Sequence, residues 1–267
     1  MLLKLMKYEL KSNSKIYFLL YAALMVSGAV VRLITLAHDS ISASANAALN
    51  TVTATGLVLA YCLYAVVILG VVAMTFLSIL QRFYGNLLSR EGYLMFTLPV
   101  KPSYHILTKL FCSFIWIVSS VAAVLMSACI VAPGDALKAF FEQLKVLISN
   151  MTGNSATILV LVIVLVLVSL VMGILTIYAA MALGNLSNRH KVLSSFGAYM
   201  AIYFAIQVIL VIIILLIRLV MPDIFDRFET VDAIIALLSV IIAAEFALSI
   251  AFFVMTNHLL SKRLNLT

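Results

Sequence analysis

Glu245 is a carboxylate set in the middle of an apolar run, Ala233–His258. If that run crosses a bilayer, an ionised acid at its centre costs about 2.5–3.5 kcal/mol on insertion scales. No basic residue lies inside an apolar run at similar depth, so a neutral or hydrogen-bonded Glu245 is expected. It could serve as a substrate-path or proton-relay group, or as an interhelical hydrogen-bond anchor. Three further patterns place polar or small side chains at helical spacing. Ser195, Tyr199, Tyr203 and Gln207 recur every fourth residue, and Ser113, Ser120 and Ser127 accompany Trp116. Ala243, Ala247 and Ala251 form a small-residue ridge off which Glu245 lies. Polar stripes line a path or join helices, and small hydroxyl side chains are common at helix contacts. Tyr199, Tyr203, Gln207 and Glu245 are the candidate translocation-path residues.

Other chemistry finds little footing. His38, His105, His190 and His258 lie at run edges or in loops without ligand spacing, so no metal site is expected. Cys62, Cys112 and Cys129 sit inside apolar runs with no CxxC pairing and read as core packing. No nucleophile–base constellation appears, and no GxxxxGK(S/T) phosphate cradle is present. The chain is not expected to be an enzyme by itself, nor to carry a cofactor.

The elements that must position these residues follow from composition. Of 267 residues, 65% are hydrophobic and 10% charged, against about 25% charged in soluble domains. Such a surface calls for lipid as solvent. A helix needs about 20 apolar residues to cross the hydrocarbon core. Six runs qualify: 16–37, 55–80, 106–131, 157–183, 192–220 and 233–258. Period-two alternation is absent, so a β-barrel is not supported. The expected fold is therefore all-α, with six transmembrane helices in one membrane domain over 1–267. The run from Ile16 to Ala37 exceeds a signal-peptide core, so the first helix is expected to be retained despite Ala43-Ser44-Ala45.

The formal charge of +7 does not mark a nucleic-acid surface, because the bases fall in short clusters between apolar runs. Lys4, Lys7, Lys11 and Lys15 precede the first run; Arg82, Arg90, Lys101 and Lys109 flank the connection between the second and third. Arg189 and Lys191 sit between the fourth and fifth, and Lys262 with Arg263 close the chain. Only Arg32, Lys138, Lys145, Arg218 and Arg227 fall on the other side. The positive-inside rule places both termini in the cytoplasm. Met1–Lys11 is amphipathic enough for an N-terminal interfacial helix, or serves as a plain basic anchor. Asp135–Ser149 repeats Leu137, Phe140, Phe141, Leu144, Leu147 and Ile148 at helical spacing, an outer interfacial or re-entrant amphipathic helix. Asn150-Met151-Thr152 matches a glycosylation sequon too short to be informative.

The cytoplasmic connection from Gln81 to Pro102 is longer than two neighbouring helices need. It is rich in Tyr, Phe, Leu and Arg, with Gly92 placed to stop a short helix and Pro99 and Pro102 punctuating its end. Aromatic and apolar anchors held below a membrane suit a protein interface, or packing against the chain's own helix ends.

Arg82-Phe83-Tyr84, Glu91-Gly92-Tyr93-Leu94 and Phe96-Thr97-Leu98-Pro99 resemble the first cytoplasmic loop of bacterial ABC-2 type transporter permeases. Leu5-Met6-Lys7-Tyr8-Glu9-Leu10-Lys11 and Lys262-Arg263-Leu264-Asn265-Leu266 are similar to that family's ends. Arg90 stands where members often carry an acid. The resemblance implies a six-helix permease half, export across the bacterial cytoplasmic membrane, and a coupling helix within 82–99 docked on a separate ATP-hydrolysing subunit. Phe83, Leu87, Arg90, Glu91, Gly92, Tyr93 and Phe96 would form that contact. ATP and Mg would reside in the partner, and a second permease, the same or a related chain, would complete the membrane part. Two rivals are a proton-coupled secondary transporter using Glu245 and a membrane sensor or assembly subunit that moves nothing.

Overall fold

The computed structural model describes residues 2–42, 47–85, 102–149, 153–187, 191–220 and 231–262. Among these residues the chain is all-helical. Its helices are α1 (Leu2–Ser42), α2 (Ala47–Phe83), α3 (Pro102–Val131), α4 (Gly134–Ser149), α5 (Asn154–Gly184), α6 (Lys191–Val220) and α7 (Val231–Lys262). All but α4 are long and apolar enough to cross a membrane, the build of a multi-pass membrane protein. The apolar runs read from the sequence fall inside these six helices.

The ends differ more than the middles. α1 has 41 residues, about 62 Å at 1.5 Å per residue against a hydrocarbon core of about 30 Å. The segment expected as a separate interfacial helix, Met1–Lys11, is instead the start of α1 from Leu2 onward, with no break before the apolar run. Neither Pro nor Gly falls between Leu2 and Ser27 to interrupt it. α3 stops before Pro133, whose carbonyl accepts from Leu137 N–H at 3.0 Å and so opens α4. Gly153, with φ 57°, supplies the left-handed residue from which α5 starts. Past the end of α5, Asn185 N–H reaches Met181 O at 3.0 Å and Ser187 N–H reaches Gly184 O at 3.1 Å, using carbonyls that the helix leaves open.

The helices group into two compact units. The first comprises residues 1–79 and 111–148; the second comprises 80–110 and 149–267.

In the first unit α1, α2 and α3 pack through a core of Leu24, Val31, Ala60, Tyr64, Val71 and Ala123. Its distinctive feature is a series of hydroxyl contacts between helices. Tyr64 Oη pairs with Ser127 Oγ at 2.8 Å, and Tyr21 Oη with Ser120 Oγ at 2.8 Å. Ser120 also meets Thr75 Oγ1 at 3.0 Å, and Asn13 Nδ2 donates to Ser78 Oγ at 2.7 Å. Trp116 stacks on Tyr17 with centroids 3.9 Å apart. Ser120 and Ser127 of the α3 serine stripe thus face other helices of their own unit and join them by hydrogen bonds. Of the three cysteines read as core, only Cys112 is buried; Cys62 and Cys129 are exposed, where a small apolar thiol meets lipid at little cost.

In the second unit α5 is central, packing against both α6 and α7. Its later half, from Ile174 to Ala182, is buried almost all round. Gly184 lies directly against the backbone of Ser195 on α6, leaving no room for a side chain.

Interhelical hydrogen bonds in membranes average about 0.6 kcal/mol and reach about 1.7. Ser120→Ala removes two, so a loss of about 1–3 kcal/mol is expected in detergent unfolding, against little change for Ser40→Ala on an exposed turn.

Candidate functional site

The long connection leaves α2 and rejoins α3, and both attachments belong to the second unit. α2 closes in a wide, π-type turn at Tyr84–Gly85. Just before it, Phe83 is fully buried and stacks on Tyr178 of α5, centroids 4.1 Å apart and planes 10° from parallel. On the returning side the first turns of α3 are equally enclosed: His105, Ile106, Thr108 and Lys109 are all buried. The connection is therefore held at both ends by packed helix. A stacked aromatic pair contributes about 0.5–1.5 kcal/mol beyond its area, and the later half of α5 brings further burial.

Several sequence-derived site residues are relocated by this arrangement. Phe83, expected among the anchors for a partner, lies wholly inside the chain's own packing, because Tyr178 offers its ring a parallel face. Lys109 and His105, read as groups at the membrane edge, are each only 3% exposed. A buried ammonium needs compensating partners, so Lys109 is part of the internal structure as well as of the charge bias. Leu87, Arg90, Glu91, Gly92, Tyr93 and Phe96 lie outside the described residues.

The candidate path residues divide. Glu245 sits on the face of α7 that also carries the buried Ser249 and Thr256. Ser169 on α5 donates to its Oε2 at 2.6 Å, and Ser249 donates to its main-chain carbonyl at 2.8 Å. The carboxyl is half-buried and bridged across α5 and α7, the geometry of an interhelical anchor. The alanine ridge expected to pack is on the opposite side: Ala243, Ala247 and Ala251 are exposed. The physical reason is that lipid tolerates alanine, whereas Glu245 and Ser249 must be turned toward partners. On α6, Ser195 turns toward α5 beside Gly184 and donates to Lys191 O at 2.8 Å. Tyr199 is 38% and Tyr203 53% exposed, and Gln207 is exposed as well. The side-chain hydrogen bond of Glu245 runs to Ser169 and not to Gln207.

Two participants were missed in the sequence, and each carried a signal. Ser169 is the lone hydroxyl in the apolar stretch 158–175, and Tyr178 is the lone aromatic of α5. A single polar or aromatic residue in an otherwise aliphatic span marks a position where packing has a specific partner.

Among the described residues no three His, Cys, Asp or Glu side chains gather to hold a metal ion. Comparison with known proteins returns no match to a family model, a curated protein or a solved structure.

Glu245→Gln keeps an acceptor for Ser169 and is expected to hold stability within about 0.5 kcal/mol, while Glu245→Ala loses about 1–2 kcal/mol. Unfolding of both variants in the same detergent, paired with a proton-flux assay of Glu245→Gln in vesicles, distinguishes an anchor from a titrating group, since a proton carrier would fail with Gln even where stability is kept.

Proposed function

We propose that this chain is the membrane-spanning permease subunit of an ATP-driven transporter of the ABC-2 type, working as an exporter. A separate nucleotide-binding subunit docks on the connection within 82–99, with Leu87, Arg90, Glu91, Gly92, Tyr93 and Phe96 as its contacts. Phe83 is the inner anchor of that lever and not a surface contact. Both chain ends and the connection lie in the cytoplasm of a bacterial cell; ATP and Mg bind in the partner.

The observation that carries this reading is the clamping of both ends of the connection in one packed unit. A lever transmits force only if its attachments are stiffer than the contact that drives it. The Phe83–Tyr178 stack and the buried start of α3 supply such attachments. They deliver a push to α5, the helix against which α6 and α7 pack. The sequence motifs of the connection supply the family, and the missing phosphate cradle supplies the need for a partner.

The exposed stripe on α6 supports a second permease in the assembly. An amide such as that of Gln207, left in hydrocarbon without a partner, costs several kcal/mol. A second membrane half, the same or a related chain, would cover it or enclose a wet path beside it. Tyr199, Tyr203 and Gln207 are then the path candidates, with Glu245 a helix anchor between α5 and α7.

Central interface residues lose about 2 kcal/mol or more on truncation, roughly thirtyfold in affinity. With Glu91→Ala and Tyr93→Ala combined, ATP turnover by the reconstituted complex is expected to lose its dependence on the membrane chain, while insertion stays intact. Turnover that still responds to the membrane chain as in the parent complex would count against the assignment.

A further inference from the structure

Helix α4 has an apolar face that the described residues leave largely uncovered. Leu137 and Leu144, on the midline of that face, are half-buried. Phe140, Phe141 and Ile148, flanking them, are 54%, 52% and 64% exposed. The opposite side carries Asp135, Lys138, Glu142 and Lys145, arranged as two pairs at i, i+3 with separations of 4.0 and 3.4 Å. The charges cancel, and all four side chains are exposed.

We infer that α4 lies in the bilayer interface as a lipid-bound helix, its phenylalanines set at the boundary between headgroups and acyl chains. Three observations fix lipid as the occupant. Only Ala132 and Pro133 separate α4 from α3, and only residues 150–153 separate it from α5. Those links span three and five Cα steps and reach at most about 11 and 18 Å, so two membrane-length helices hold both ends of α4 near the boundary. The face is also small. Its 16 residues make a strip about 24 Å long and about 10 Å wide, near 240 Å², against about 800 Å² per partner in a stable protein interface. Finally, the charge balance shapes the lipid preference. Helices that bind anionic membranes carry an excess of Lys and Arg on the polar face, whereas the paired charges here leave hydrophobic insertion as the attraction. Zwitterionic lipid therefore suffices.

The inference is independent of the transporter assignment, since it rests on α4 and its links alone. It is tested with the full chain in phosphatidylcholine vesicles, using lipids brominated either near the glycerol end or near the terminal methyl of the acyl chain. The parent has one tryptophan, Trp116, stacked on Tyr17, and supplies the baseline. Phe141→Trp and, as a second site, Ile148→Trp should add emission quenched roughly twofold more by bromine near the glycerol end, as for a face about 5–10 Å into the boundary. Gln143→Trp on the polar side should add emission that neither lipid quenches. Adding phosphatidylglycerol should leave the quenching unchanged. The inference is overturned if Phe141→Trp and Ile148→Trp escape quenching as Gln143→Trp does. Blue-shifted unquenched emission would then assign the face to a protein partner, and red-shifted emission would assign it to water. Quenching that appears only with phosphatidylglycerol would also overturn it, because it would make attraction to anionic lipid the driving force.

Discussion

A polar side chain in hydrocarbon has no water to fall back on, and that constraint orders most of what this chain builds. Backbone groups meet it by forming helices. Side chains meet it by turning toward one another, and the faces on which they meet become the packing faces. In the first unit Tyr21, Tyr64, Thr75, Ser120 and Ser127 settle which sides of α1, α2 and α3 touch. In the second, Ser169 and Glu245 do the same for α5 and α7. Each bond is modest, yet each wrong rotation of a helix would strand its hydroxyl or carboxyl in lipid. The cost of the alternatives, more than the strength of the contacts, selects the arrangement.

The same rule gives meaning to polar groups left without protein cover. Tyr199, Tyr203 and Gln207 on α6 stand out beside the hydroxyls that pair across α1, α2 and α3 and the Ser169–Glu245 bond between α5 and α7. An exposed stripe of this kind calls for something beyond one copy of the chain. The alanines of α7, exposed on the far side from Glu245, make no such demand. Position on the surface is informative only when combined with what the side chain needs.

The sequence carried the helices well, because a run of about 20 apolar residues has few other uses. It carried the helix faces less well. Alanines spaced every four residues suggested a contact that α7 makes through Glu245 and Ser249 instead, since small residues fit against lipid and protein alike. The hydroxyl pairs could not be matched in advance, because helical spacing gives the face of a serine but not the helix opposite it. Phe83 shows the limit at the candidate site. An aromatic residue at a membrane edge fits a partner's groove and a neighbour's ring equally, and only the position of Tyr178 decides between them. A continuous α1 was likewise hidden, as the lysines of its first turns read equally well as an interfacial anchor.

Transport of the proposed kind requires that the connection between α2 and α3 serve an external motor. The most direct measurement is mild-detergent purification of the intact chain from its native membrane, followed by assay of the product for bound ATPase activity. The account predicts that an ATP-hydrolysing subunit accompanies the chain and is lost when residues 87–96 are replaced by a Gly–Ser linker. A chain that purifies without any ATPase, and that drives solute movement in vesicles from a proton gradient alone, would contradict it.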